Sequence, residues 1–210
     1  MITRLAFGVV LFTLAIAGCS NEPQQKSGPA EQASSASLAT QPVLPGKCAK
    51  SKVPLANLEP KSSAEPQLAV PQPPGWSHSS AMNSDAIRGL IFNRSLTADK
   101  FTPTAVVTVA DVTEGTNSLE QALETERAGI VQNGVRIESE TTGTTCGYPT
   151  KTVNYPIEGR PGSTLIVAAD HDQRIWTATI TIQTADATNP TYIADKQTIF
   201  DGFQVAFPKQ

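Results

Sequence analysis

The side chains best placed to do chemistry are Ser163, which follows a glycine, and His171, which lies between two aspartates. A serine hydrolase of the α/β type would need the pattern Gly-x-Ser-x-Gly, and the sequence does not contain it. The run Asp-His-Asp at residues 170–172 cannot converge as a catalytic triad, because its members are consecutive and the pattern is typical of a polar turn. We therefore predict no catalytic residue and expect that the protein is not an enzyme.

Metal binding and carboxylate catalysis have equally little support. His78 is the only other histidine, so a site with several histidine ligands is excluded, and we predict no metal. Glu138 and Glu140 alternate with Val135 and Ile137, which indicates a solvated strand face and not an acid–base pair. No glycine-rich phosphate loop joins a strand to a helix, and we predict no cofactor.

The first residues have the pattern of a secretory signal, with a basic start and a short apolar run. The tetrapeptide Ile-Ala-Gly-Cys at residues 16–19 resembles the lipobox of bacterial lipoproteins, in which the cysteine is alkylated with diacylglycerol. An ordinary signal peptidase site with an incidental cysteine is the alternative. Since two or three acyl chains make anchoring effectively permanent, we expect a signal peptide over residues 1–18 and a membrane anchor at Cys19.

The other two cysteines, Cys48 and Cys146, form an even pair in a chain that we expect to be exported. An oxidising compartment favours a disulfide between them. A metal or nucleophile site would need a partner histidine or a second close cysteine, and neither cysteine has one nearby in sequence. We predict a Cys48–Cys146 disulfide that joins the start of the folded part to its body.

The charge of the chain bears on its partners. Its 210 residues include 16 basic and 19 acidic side chains, a formal net charge of −3. No basic stripe or aromatic-basic motif of the kind that nucleic-acid or anionic-lipid surfaces require is present. We exclude nucleic acid as a partner and expect a membrane partner through the lipid anchor.

Composition divides the mature chain into two parts. Residues 19–72 hold half of the 16 prolines and no aromatic residue, which predicts a lipid-anchored disordered stalk. Residues 73–210 have the size of one globular domain. The stalk would hold this domain away from the membrane, because proline-rich chains are extended.

Periodicity predicts the elements of the domain. Alternating residues predict strands near 86–96, 104–112, 135–140, 153–157, 165–169, 176–182 and 203–207. Helices are predicted after Asn117, with Glu120 in capping-box register, and after Asn189, with proline at the first position. Short links between the four middle strands indicate an antiparallel sheet covered by helices, an α+β fold.

Three stretches of the domain suggest a family. Residues 73–76 (Pro-Pro-Gly-Trp), 90–93 (Leu-Ile-Phe-Asn) and 101–109 (Phe-Thr-Pro-Thr-Ala-Val-Val-Thr-Val) resemble the LpqN/LpqT-type lipoproteins of mycobacteria and their relatives. The resemblance covers the whole domain and implies a Mog1/PsbP-like α/β/α sandwich. It also implies a non-enzymatic lipoprotein on the extracytoplasmic face of the cell membrane, with an accessory role in the traffic of mycolate glycolipids near membrane exporters.

A ligand site is the least determined feature. The aromatic residues Trp76, Phe92, Tyr155, Trp176 and Tyr192 predict an apolar groove between sheet and helix for a lipid or glycolipid, although each also fits a plain core position. The first hypothesis is therefore an accessory lipoprotein that binds an envelope lipid or glycolipid beside a transporter. The alternative is a structural lipoprotein that docks another protein and has no small ligand.

Overall fold

The structure, a computed structural model, describes residues 47–208, and this part of the chain contains ten strands and two helices. The strands are β1 (Leu55–Leu58), β2 (Gln67–Pro71), β3 (Ser77–Ser79), β4 (Ile87–Phe92), β5 (Thr104–Asp111), β6 (Ser139–Thr145), β7 (Tyr148–Ile157), β8 (Arg160–His171), β9 (Arg174–Gln183) and β10 (Gln204–Ala206). The helices are α1 (Leu119–Gln132) and α2 (Pro190–Gly202). All strand pairs are antiparallel, which confirms the predicted α+β fold.

Two sheets and two helices form three layers. The large sheet has the order β3-β4-β5-β9-β8-β7-β6, and the small sheet has the order β1-β2-β10. On one face of the large sheet, α1 covers a cluster that includes Leu123, Val153 and Ile166. On the other face, α2 and the small sheet close a larger core around residues such as Ile180 and Phe203. Both faces of the central strands are therefore buried.

The meander from β6 to β9 is made by three two-residue turns. Both central residues have positive φ in each turn: Cys146 and Gly147 at 53° and 83°, residues 158–159 at 50° and 77°, and residues 172–173 at 49° and 64°. Turns of this kind match the right-handed twist of the strands they join. They hold consecutive strands in a continuous register, so alternate residues of neighbouring strands share a face.

The folded part begins earlier than predicted. Strands β1 and β2 lie within residues 19–72, so the predicted boundary between stalk and domain at residue 73 was wrong. The low hydrophobicity of this region misled the prediction, because its few aliphatic residues, such as Leu58 and Val70, are buried by partners from the far end of the chain. β2 pairs with β10, which lies more than 130 residues later. The predicted signal peptide, Cys19 and the stalk up to residue 46 lie outside the described residues.

The predicted disulfide is present. Cys48 is bonded to Cys146 across a sequence separation of 98 residues. Cys146 is the first central residue of the turn between β6 and β7, so the bond joins the segment before β1 to the tip of that hairpin.

Helix α1 begins one residue later than the predicted cap. Ser118, and not Asn117, is the N-cap, and its hydroxyl accepts from the Gln121 N–H at 3.1 Å. The Gln121 side-chain oxygen accepts from the backbone N–H of Asn117 at 2.8 Å. The reciprocal pattern of a capping box is thus shifted by one residue, and Glu120 takes no part in it.

One further local prediction was wrong. Strand β6 starts at Ser139, and the preceding Val135 and Ile137 pack against the α1 cluster outside any strand. Glu140 is exposed, in agreement with the predicted solvated face, and it accepts from Arg127 of α1 at 2.5 Å. Ile193 of α2 is exposed.

Helix α2 has the predicted cap, and its removal has a measurable cost. The Asn189 side-chain oxygen accepts from the N–H groups of Thr191 and Tyr192 at 2.9 and 3.2 Å. We expect Asn189→Ala to lower the free energy of unfolding by about 1 kcal/mol, because two N–H groups of the first helical turn lose their acceptor. Urea unfolding measures this change. The control Asn117→Ala removes an asparagine whose side chain caps nothing, and an equal loss in both variants would contradict the capping role.

No helix within residues 47–208 is both long enough and apolar enough to cross a membrane.

Candidate functional site

Three of the five predicted ligand residues belong to the core. Trp76, Trp176 and Tyr192 are 5%, 6% and 3% exposed and lie in the same cluster on the α2 face. The Trp76 Nε1 donates to the buried carboxylate of Asp195 at 2.8 Å, and burial raises the pKa of the Tyr192 hydroxyl. Trp76 also borders a separate groove of about 510 Å³ beside residues 72–75, and the three aromatic residues share no groove with one another.

The other two lie elsewhere. Tyr155 is on the α1 side of the large sheet, where its hydroxyl bonds to Thr164 at 2.7 Å. Phe92 is half-buried at the end of β4, with the Arg94 guanidinium 5.4 Å from the ring centroid. Because the sheet separates Tyr155 from the core aromatics, the structure does not bring the five residues together.

A polar groove lies between α2 and the strands at the β6 edge of the large sheet, with a volume of about 470 Å³. We call it the threonine groove. Its sheet wall consists of side chains on one face of β6 and β7, chiefly Thr141, Thr145, Thr150, Thr152 and Asn154. Its helix wall consists of Lys196, Gln197, Phe200 and Asp201.

Strand register explains why hydroxyls gather in this groove. Thr141 lies directly opposite Thr152, and Gly143 lies opposite Thr150. A Cβ at residue 143 would come within 3.3 Å of the Thr150 hydroxyl, so the glycine leaves room above that strand pair. Leu165 of β8 and Phe200 of α2 are buried at the base of the groove. The groove therefore combines hydroxyls on its sheet wall with a small apolar floor.

A directed chain of hydrogen bonds crosses the sheet wall. The Lys196 Nζ donates to the Ser163 hydroxyl at 3.4 Å, and this hydroxyl donates to the Asn154 side-chain oxygen at 2.5 Å. The Asn154 amide nitrogen then donates to the Ser139 hydroxyl at 2.9 Å. Each polar group thus has a defined orientation.

Lys196 is the charged group on which this chain begins. It is half-buried, and desolvation of its ammonium group lowers the pKa of Lys196 below the usual lysine value. It forms no ion pair with any carboxylate in residues 47–208. Such a cation is suited to hold a negative or strongly polar ligand atom.

A second, more apolar groove of about 660 Å³ lies on the opposite face, beside the end of α1. Tyr155 lines it together with apolar residues such as Ile130, Val135 and Ile157. Its edge includes Thr181, which bonds to Thr164 at 2.9 Å. On the same face, the Thr177 and Thr179 side chains of β9 are buried, and Thr177 donates to Glu126 of α1 at 2.7 Å.

The residues considered for catalysis or metal binding have structural contacts. The His171 ring stacks on Phe207 with 4.4 Å between centroids. Ser163 belongs to the hydrogen-bond chain above and lies in β8, not in a turn. Within residues 47–208 there is no group of three or more His, Cys, Asp or Glu side chains that could hold a metal ion.

The comparisons with known proteins agree with this architecture. The family model for the probable lipoprotein LpqN matches residues 48–206. The chain belongs to the LpqN lipoprotein family. LpqN of Mycobacterium tuberculosis, described as involved in cell envelope biogenesis, is 15% identical, with a TM-score of 0.59 over 74% of this chain and 92% of its own. This likeness shows the LpqN fold and confirms the resemblance predicted from the sequence.

A further solved structure, the Saccharomyces cerevisiae Ran-binding protein Mog1p, is 13% identical, with a TM-score of 0.46 over 74% of this chain and 97% of its own. No curated protein sequence matches the chain significantly.

Sequence reasoning missed the threonine groove. The run Ser-Glu-Thr-Thr-Gly-Thr-Thr at residues 139–145 is rich in β-forming threonine, and this composition was the available indication. Nothing in the sequence indicated that Lys196 lines a groove, because a single lysine in an amphipathic helix is typical of a solvated face.

Proposed function

We propose that this LpqN-family chain is a non-enzymatic, lipid-anchored envelope lipoprotein that binds the sugar headgroup of a glycolipid in the threonine groove. The hydroxyl-lined sheet wall is the observation that carries the proposal. The family membership supports an envelope role, and LpqN itself is described as involved in cell envelope biogenesis. An anchor at Cys19 and a position beside membrane transporters of glycolipids belong to the same proposal.

The chemistry of the groove suits a sugar. A threonine hydroxyl can donate and accept, and so can each hydroxyl of a carbohydrate. Thr141 and Thr152 are directly opposite each other and are not fully buried, so both are accessible to a ligand. Phe200 and Leu165 provide an apolar base for the C–H face of a sugar ring. The volume of about 470 Å³ lies within the range of small-molecule sites.

The acyl chains of the ligand need no site in this groove. The apolar groove beside Tyr155 lies on the opposite face of the sheet from the threonine groove. A glycolipid whose headgroup is held in the threonine groove would therefore not place the adjacent part of its acyl chain in the apolar groove. We propose that the acyl chains stay in the membrane while the headgroup is held. This arrangement requires the domain to work near the membrane surface.

The docking hypothesis has weaker support. In residues 47–208 the exposed large apolar side chains are Met82, Val131 and Ile193, and they lie in a loop, in α1 and in α2. Isolated apolar residues of this kind are normal on protein surfaces. Headgroup binding therefore accounts for more of the structure than a protein-docking role.

The proposal predicts loss of a bound glycolipid when two hydroxyls are removed. The full chain in detergent is incubated with a total envelope lipid extract and examined by native mass spectrometry. Wild type should show a discrete added mass of an acylated sugar. In Thr141→Val/Thr152→Val, which keeps side-chain shape and strand preference, binding should weaken by about tenfold to hundredfold, since each hydrogen bond contributes about 0.5–1.5 kcal/mol.

A matched control is available on the other face of the sheet. Thr108 and Thr179 are also directly opposite each other, with their hydroxyls 2.6 Å apart. Thr108→Val/Thr179→Val should bind as wild type does. The proposal is rejected if wild type carries no glycolipid while a known lipid-binding protein does under the same conditions, or if both double variants bind equally well.

A further inference from the structure

We infer that the threonine groove contains an anion-binding position at the Lys196 Nζ, so that the headgroup it takes is a sugar bearing one phosphate, sulfate or carboxylate group. This inference rests on the proposed function and specifies its ligand class. It is carried by the geometry around Lys196.

The fully buried cations of the described part of the chain have carboxylate partners. Arg88 and Lys151 are 5% and 6% exposed, and they pair with Glu65 and Glu124. Lys196 is also withdrawn from solvent, but its one hydrogen bond is a long one to Ser163. A partly desolvated cation without a counter-charge is costly unless a ligand supplies the charge.

The surrounding polar groups are arranged for an acceptor-rich ligand. The proton of the Ser163 hydroxyl is directed to Asn154, so its oxygen is left to accept from Lys196. An ammonium group has three N–H donors, and two of those on Lys196 remain for a ligand in the groove. The hydroxyls of Thr150 and Thr152 line the same groove and can donate to anionic oxygens. Hydrogen bonds between charged partners are stronger than neutral ones.

Lysines outnumber carboxylates among the residues that line the threonine groove and the groove next to it. Asp201 is the carboxylate in the wall of the groove, and its Oδ1 accepts from the Gln197 side chain at 2.8 Å. Gln197 and Asp201 also border the adjacent groove, whose other wall includes Lys50 and Lys52. Lys196 therefore lines the threonine groove, Lys50 and Lys52 line the adjacent groove, and Asp201 borders both, in a chain whose net charge is −3. Such a local excess attracts anions.

The test measures the affinity of the full chain, in zwitterionic phosphatidylcholine nanodiscs, for three soluble probes by titration calorimetry. The probes are a neutral methyl disaccharide, the same disaccharide with one sulfate ester, and inorganic sulfate. Wild type should bind the sulfated disaccharide about tenfold more tightly than the neutral one, as expected for a charge-assisted hydrogen bond.

Variants at Lys196 separate charge from shape. Lys196→Met should reduce the affinity for the sulfated disaccharide to that for the neutral one and leave the neutral affinity unchanged. Lys196→Arg should keep the preference. The control Lys100→Met makes the same change of net charge at an exposed lysine that does not line the groove, and it should bind as wild type does.

Each contrary result has a defined meaning. Equal affinities of wild type for the neutral and sulfated disaccharides would overturn the anion-binding position and leave the proposed function standing. Inorganic sulfate that binds as tightly as the sulfated disaccharide would overturn the assignment to a sugar. If neither disaccharide binds, the proposed function fails together with the inference.

Discussion

Replacing Cys48 and Cys146 by serine is expected to lower the free energy of unfolding by about 2–5 kcal/mol. The bond closes a loop with a sequence separation of 98 residues, and its loss frees that length of chain in the unfolded state. Loss of loop-closure constraint is the main source of disulfide stabilisation in the chain-entropy description. Urea unfolding of the variant, compared with oxidised wild type, measures the change.

The control for this prediction is wild-type protein unfolded in the presence of a reductant, which should match the double serine variant. Hydrogen exchange adds spatial information. The segment before β1 and the turn between β6 and β7 should lose protection first, because the bond joins these two places. Equal stability of oxidised wild type and the double variant would show that the disulfide contributes nothing to the fold.

The second large effect is expected at the buried ion pair of Glu65 and Arg88. The Arg88 Nε and Nη2 donate to the two carboxylate oxygens of Glu65, each at 3.0 Å, and both side chains are less than one-tenth exposed. The Arg88 Nη1 also donates to the backbone carbonyls of Ser84 and Asp85. The pair thus joins the loop between β1 and β2 to strand β4.

Removing one partner of the ion pair should lower the free energy of unfolding more than replacing both partners. We expect Glu65→Gln to lower the free energy of unfolding by about 3–5 kcal/mol, because the Arg88 charge stays buried without a counter-charge. Glu65→Met/Arg88→Met should lose less than Glu65→Gln, since apolar side chains can replace a buried pair. Urea unfolding of the three proteins tests this order.

An exposed ion pair provides the comparison. Arg174 donates to Asp111 at 3.0 Å near the ends of β9 and β5, where both side chains are substantially exposed. Asp111→Asn should cost less than about 1 kcal/mol, as is usual for surface pairs. If Glu65→Gln costs no more than Asp111→Asn, burial does not govern the strength of the Glu65–Arg88 pair.

The elements of the central sheet were predictable because their pattern is local. In β9, Trp176, Ala178 and Ile180 alternate with threonines, and the apolar residues do face the larger core. The cap at Asn189 was equally local, since a side chain reaches only the next few backbone groups. Where two neighbouring residues could both act as a cap, as at Asn117 and Ser118, sequence did not distinguish them.

The groove could not be predicted in the same way. Thr141 and Thr152 are brought together by the register of β6 and β7, while Lys196 comes from α2, which follows these strands only after β8 and β9. Most of the aromatic residues chosen as ligand candidates are buried in the core, because large apolar side chains gain most by burial. Tyr155 and Trp76 also border grooves, but these grooves are different ones. The prediction therefore selected residue types suited to a core, and these residues do not form one shared site.

What the sequence by itself determined is the α+β class, the order of strands and helices after residue 86, the pairing of Cys48 with Cys146 and the resemblance to the LpqN family. These follow from local periodicity, from turn and cap residues and from the count of cysteines. Only the tertiary structure decided that β1 and β2 belong to the fold and that a threonine-lined groove faces Lys196. Both depend on contacts between residues far apart in the chain, whose burial and orientation no local pattern encodes.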